Sequence, residues 1–441
     1  MTASLVVLLL LAPDAGAELR HALDASGVKA QGLGLLAGPA GEPPLLSVDP
    51  DEPRAPASNQ KILVAAAALT LLGRDFHFET RIGLGEGGDL VVVGEGDPNL
   101  SGRLFGGDPT KVLRAMARDV AGKGVKSVRD VVLDASRFDK EYIHPDWPRD
   151  QLERWYCAPV AALVYNDSCW DVTVYPRARP GAAARIEVQP SLLDPAIVNN
   201  CATSSAGNVV HLGHVEGSDF EIRGRVSMES KGVAASVTVR DPVRFFGDAF
   251  RAALLVEGVA VEGTVREGSL PGAREILVYR TDLGRTLGVM LVQSQNLYAE
   301  CVFKRLGQGS FASAAEALEG ALRRLEVPTA GLVVRDGSGL SRENRVSART
   351  IHGVLQAMRD EPLFVESLAA GGEGTLRKRY RDLGPRVRAK TGTIDGVSTL
   401  SGYVTGREGG RYVFAILANG ASTTRARKLQ DLVVTALARC P

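Results

Sequence analysis

The chain opens on an unbroken apolar run, Leu5 to Leu11, which ends in the small-residue stretch Ala15-Gly16-Ala17. An apolar core followed by a small-x-small site predicts a secretory leader over residues 1–17, although no Lys or Arg precedes the run. Short apolar runs at Gly32–Gly38 and Leu45–Val48 then predict two strands, with a turn at Pro53–Pro56. From Ser58 to Leu72 a polar opening, Ser-Asn-Gln-Lys, gives way to Ile, Leu, Val and Ala on every face, with Gly73 as the stop. A helix apolar all round must lie in the centre of a domain.

Between about Arg81 and Glu275 the texture changes to brief alternating runs, among them Leu90–Val93, Val131–Leu133, Val172–Val174, Ile186–Val188 and Val237–Val239. Gly, Pro and Asp separate them, so this middle region is predicted to be β-rich, forming one or two accessory lobes. One helix is predicted within it, capped by Asp241, begun by Pro242 and running to Leu255. Helical spacing returns in Leu283–Val292 and Asn296–Leu306. Strands follow at Val387–Lys390, Ser401–Val404 and Tyr412–Leu417, and a closing helix at Thr424–Leu437. The fold class expected is α+β.

Composition narrows the partners. With 52 basic and 51 acidic residues among 441, the net charge of +1 leaves no basic footprint for nucleic acid or an anionic membrane. No later apolar run reaches the roughly 18 residues of a membrane span, so no transmembrane anchor is expected. Cys157, Cys169, Cys201, Cys301 and Cys440 have no zinc-like spacing, and no metal or other cofactor is called for. Cys169 and Cys201 are a candidate disulfide; the alternative is that all five are small buried hydrophobes.

The candidate chemistry begins at Ser58 and Lys61. Three positions apart at the start of a buried helix, they share a face, and burial together with the positive helix end favours the neutral amine that a general base needs. Taken alone, the pair could equally be an N-cap serine and a solvent-facing lysine. Two further motifs follow in order: Ser294-Gln295-Asn296 before a helix, and Lys390-Thr391-Gly392-Thr393 at the end of a strand. In attack on an acyl carbon beside a free carboxylate, Ser294 can pass a proton to the leaving amine while Asn296 holds Lys61 and a substrate amide. Lys390 supplies positive charge, Thr391 and Thr393 offer hydroxyls to the carboxylate, and Gly392 leaves room for substrate along the strand. The backbone N–H groups of Ser58 and Thr393 are the expected oxyanion hole.

With these three motifs the chain resembles the class C low-molecular-mass penicillin-binding proteins of the DacB type, peptidase family S13, over nearly all of its predicted mature length. Gly94–Pro98, Ala158–Leu163, Asn166-Asp167, Asp336–Leu340, Gly374–Leu376 and Gly402-Tyr403 are also similar to that family. The resemblance implies a discontinuous β-lactamase/transpeptidase-like domain from residues 18–80 and 276–441, with an antiparallel sheet, and an inserted region at 81–275. It implies Ser58 as acyl-enzyme nucleophile, Lys61 as base, Ser294 and Asn296 as second motif, and Lys390, Thr391 and Gly392 as third. It also implies an exported, periplasmic D-Ala-D-Ala carboxypeptidase or endopeptidase that acts on peptidoglycan peptide and is acylated by β-lactam antibiotics. Gln295 stands where many relatives carry Asp.

Two rival readings are a β-lactamase and an inactive muropeptide-binding scaffold. The 236 positions between Ser58 and Ser294 argue against the first, and the complete set of reactive residues against the second. Glu300 is read as a salt-bridge partner rather than a deacylation base. His211 and His214 are read as surface or packing residues, Ser338 as part of a structural turn, and Trp147, Trp155, Tyr156 and Tyr165 as core.

Overall fold

The computed structural model describes residues 15–441, so the apolar run of the predicted leader lies outside the described residues. Helix α1 (Ala15–Ser26), strands β1 (Leu33–Pro39) and β2 (Leu46–Val48) and helix α2 (Gln60–Leu71) come first. After the middle region come α3 (Leu283–Val292), α4 (Asn296–Leu306), α5 (Phe311–Arg324) and α6 (Ala348–Ala357). Strands β3 (Ala369–Ala370), β4 (Val387–Ile394), β5 (Val397–Thr405) and β6 (Arg411–Asn419) and helix α7 (Thr423–Arg439) close the chain.

These strands form one antiparallel sheet in the order β3-β4-β5-β6-β1-β2. Its period-two alternation divides the core. Tyr412, Phe414, Ile416 and Ala418 of β6 pack with α1 and α7, while Val413, Ala415 and Leu417 pack with α2 and its neighbours. The result is helices on both faces of the sheet, with most of α2 enclosed: Ile62 to Ala68 are all inaccessible to solvent. Gly73, at φ +85°, follows the helix end as the sequence predicts.

The middle region contains a five-stranded mixed sheet in which His77–Leu84 pairs with Arg274–Asp282, and two three-stranded sheets built from residues 169–238. The predicted helix is present as Pro242–Val256, capped by the Asp241 side chain. A second helix, Thr110–Gly122, was not predicted; it buries Val112, Leu113, Met116, Ala117 and Val120 along one stripe against the Pro242–Val256 helix and the five-stranded sheet. The surrounding short β runs mask that helical spacing in the sequence. Cys169 and Cys201 do not pair. They stand on strands of different three-stranded sheets, and all five cysteines are buried free thiols.

Lys304 joins the two parts of the chain. Its side chain is fully buried, and its ammonium donates to Asp139 Oδ1 at 2.6 Å and the Glu141 carbonyl at 2.8 Å while lying 4.3 Å from the Phe311 ring centroid. A buried cation needs such partners, and here the middle region supplies them.

Candidate active site

Ser58 sits in a single 3-10 turn, Ala57–Asn59, immediately before α2. That turn is pinned to the sheet from three sides. Asn59 Nδ2 donates to the Lys390 carbonyl at 2.8 Å, Ser401 Oγ donates to Asn59 Oδ1 at 2.7 Å, and Thr399 Oγ1 donates to the Pro56 carbonyl at 3.0 Å. Gly392 completes the fit. A Cβ there would lie 2.2 Å from Thr399 Oγ1, 2.9 Å from Ser58 N and 3.0 Å from the Pro56 carbonyl. The glycine is therefore required by the Ser58 turn packed on β4, a demand that the sequence reading, which assigned it to substrate room, does not include.

Lys61 is fully buried and uses all three of its N–H bonds, to Ser58 Oγ at 3.0 Å, Asn296 Oδ1 at 2.8 Å and the Ser338 carbonyl at 2.8 Å. Burial lowers its pKa to about 7, against the opposing pull of Glu300 and Asp336. The pair is thus no N-cap with a solvent-facing lysine. It places an amine that is easily made neutral directly behind a hydroxyl.

The second and third motifs meet across the cleft. Lys390, also fully buried, donates to Ser294 Oγ at 2.8 Å and to the Thr391 carbonyl at 2.8 Å. Burial, with the neighbouring Lys61, holds its pKa well below the usual lysine value. An anion bound beside it would raise that pKa again. The sequence places Lys390-Thr391-Gly392 at a strand end; instead β4 runs on to Ile394, and beyond Ala389 its outer edge pairs with no strand among the described residues. Thr393 lines the cleft with Ser58, Ser294 and Asn296, whereas Thr391 accepts from Lys390 through its carbonyl.

Residues to which the sequence assigns no part in the chemistry complete the site. Ser338 belongs to a buried turn whose carbonyl holds Lys61, so it is more than a structural punctuation mark. Glu300 makes no ion pair among the described residues; its two oxygens accept from Gly337 N and Ser338 N, both at 2.8 Å, and burial lifts its pKa to about 8. Asp336 accepts from Gly339 N at 2.8 Å, from Ser341 N at 2.6 Å, and from Trp147 Nε1 at 2.9 Å. Gly339, at φ +82°, passes so close to the Ala57 carbonyl that a Cβ would sit 1.8 Å from it. Trp147 and Tyr165 are core residues as expected, but Trp155 and Tyr156 line the cleft, and the Tyr156 carbonyl accepts from Asn296 Nδ2 at 2.8 Å. Exposed His211 lies on a strand, and His214 Nε2 is bonded to the Thr238 carbonyl at 2.7 Å, in keeping with packing roles.

The cleft encloses about 650 Å³, open to solvent at Ser58 and bounded by Asp146, Trp155, Leu340 and Arg342. A buried amine behind one hydroxyl, facing a second hydroxyl on a second buried amine, marks a serine hydrolase working through an acyl-enzyme. The chain belongs to the D-Ala-D-Ala carboxypeptidase 3 (S13) family, whose sequence model matches residues 15–440. It is 35% identical over 432 residues to the D-alanyl-D-alanine carboxypeptidase of Actinomadura sp. (strain R39), covering 89% of this chain and 78% of that protein. With the D-alanyl-D-alanine carboxypeptidase DacB of Haemophilus influenzae it shares 26% identity over 400 residues, covering 83% and 81%. The crystal structure of penicillin binding protein 4 (dacB) from H. influenzae has the same fold, at a TM-score of 0.81 and 22% identity over 96% of this chain and 99% of that one. The structure of that protein with a β-lactam matches at a TM-score of 0.75 and 22% identity, covering 95% and 98%.

Proposed function

We propose that this chain is an exported serine D-Ala-D-Ala carboxypeptidase or endopeptidase of the cell wall. The observation that carries the reading is the buried Lys61 ammonium shared between Ser58 Oγ, Asn296 and the Ser338 carbonyl. Ser58 Oγ attacks the carbonyl carbon of the penultimate D-Ala as Lys61 accepts its proton. The oxyanion is held by the N–H groups of Ser58 and Thr393. The substrate carboxylate lies by Lys390 and Thr393 and favours the charged form of Lys390. Ser294 relays the proton taken up by Lys61 to the leaving amine as the C–N bond breaks, D-Ala departs, and water later cleaves the ester. A β-lactam follows the same first steps, but its amine stays tethered and the ester persists. Export rests on the leader over residues 1–17; no helix among the described residues is long and apolar enough to cross a membrane.

The base works as the free amine, so acylation depends on deprotonating Lys61, whose pKa is about 7. Below that value the active fraction falls about tenfold per pH unit; above it the rate levels. Second-order acylation by a chromogenic β-lactam should therefore rise from pH 5.5 to about 7.5 and then flatten. A flat profile across this range would remove Lys61 as the base. Against a β-lactamase, Glu300 is engaged on both oxygens by backbone N–H groups.

A further inference from the structure

Ser294 is held at φ +60°, in the left-handed region that a serine seldom occupies without support. The support comes from the middle region. Arg103 donates through Nη1 to the Gln293 side-chain carbonyl and through Nε to Asp167 Oδ2 at 2.9 Å, and it is also ion-paired with that carboxylate through Nη2. Gln295 Nε2 donates to the same Asp167 oxygen at 2.9 Å. Both neighbours of Ser294 are thus tied, through one Arg–Asp pair, to the middle region.

Asp167 is itself built in. Asn166, Asp167 and Ser168 all have positive φ, at +46°, +55° and +53°. Asn166 Nδ2 locks this turn by donating to the Cys169 carbonyl at 2.9 Å and to Asp171 Oδ2 at 3.0 Å, and Ser236 Oγ donates to Asp171 Oδ1 at 2.6 Å. Three successive left-handed residues persist only where their surroundings over-determine them. Nothing in the acylation chemistry above uses Arg103 or Asp167.

We propose that Arg103 and Asp167 are positioning residues that clamp Gln293 and Gln295 and so aim the Ser294 hydroxyl for protonation of the leaving group. This rests on the reading that Ser294 carries that proton. The clamp makes the middle region part of the catalytic apparatus: it sets the backbone of the second motif. Gln295, where a carboxylate would face Asp167, is here a donor to it.

The test compares turnover of a peptide ending in D-Ala-D-Ala with that of its thioester analogue, whose thiolate leaves without a proton. Arg103→Met should lower kcat on the amide by about 10²-fold, the effect of misplacing a reacting group by about 1 Å, and on the thioester only a few-fold. Gln295→Glu, which sets two carboxylates together, should do the same. Adding Asp167→Asn, whose amide donates to the new carboxylate, should restore most of the amide activity with an unchanged Tm. Amide turnover unaffected in both single variants would overturn the proposal. So would equal losses on amide and thioester, or no recovery in the double variant, since these describe a general structural defect. If the parent protein itself is not acylated, the failure lies with the Ser58 reading instead.

Discussion

Lys61→Met is expected to lower the rate of acylation by a β-lactam about 10³-fold, within the range measured for loss of a general base. The side chain that remains is of similar length and apolar, so the cleft keeps its shape while Ser58 loses the acceptor for its proton. Stability should follow a different course. Burial lowers the Lys61 pKa from its ordinary value to about 7, so the unfolded chain binds more protons over that interval and the charged lysine opposes folding there. Removing it relieves that cost but strands Asn296 Oδ1 and the Ser338 carbonyl. The two effects oppose each other, and the Tm is expected to hold while activity collapses, the pattern of a group kept for function. Thermal melts beside stopped-flow acylation check both halves; a variant that acylates within about tenfold of the parent would contradict the assignment.

Gly392→Ala carries the second large effect. A single methyl would meet Thr399 Oγ1, Ser58 N and the Pro56 carbonyl at 2.2–3.0 Å. Since β4 is fixed by its long pairing with β5, the Ser58 turn is the part that must give. A displacement of about 1 Å at the hydroxyl costs about 10² in rate. The loss should appear with amide substrate and β-lactam alike, because the attacking atom moves. Combining it with Thr399→Ala removes the nearest contact but not the contact with Ser58 N, and should recover only part of the rate. If Gly392→Ala instead weakened substrate binding and left the limiting acylation rate intact, the glycine would serve the substrate and not the turn.

The three motifs were legible because each couples residue type to an element boundary: Ser58 and Lys61 at the start of an all-apolar helix, Asn296 at the start of the next, Lys390 on a strand. The antiparallel meander and the central helix were legible for the same reason, since periodicity reports the faces of long elements. What escaped were contacts made by carbonyls and by residues distant in sequence. Ser338 holds Lys61 with its carbonyl, which no side-chain pattern encodes. Glu300 sits four residues beyond Asn296, a spacing that suggests an ion-pair partner, yet it binds the backbone of a turn reached from another part of the chain. The need for a glycine at 392 is legible, but not its contact with the Ser58 turn, because the packing of that turn on β4 is a tertiary fact. The Thr110–Gly122 helix was missed in a region read as β-rich, although its apolar stripe is well formed.

Ser58 is tested as the nucleophile most directly by intact mass spectrometry of the protein after incubation with benzylpenicillin, beside a Ser58→Ala control. One stable adduct of the drug's mass is expected on the parent protein and none on the control. An adduct that survives in the control would place the nucleophile elsewhere; no adduct on the parent would leave a protein that binds muropeptide without acylation, and rapid turnover of the drug would make it a β-lactamase.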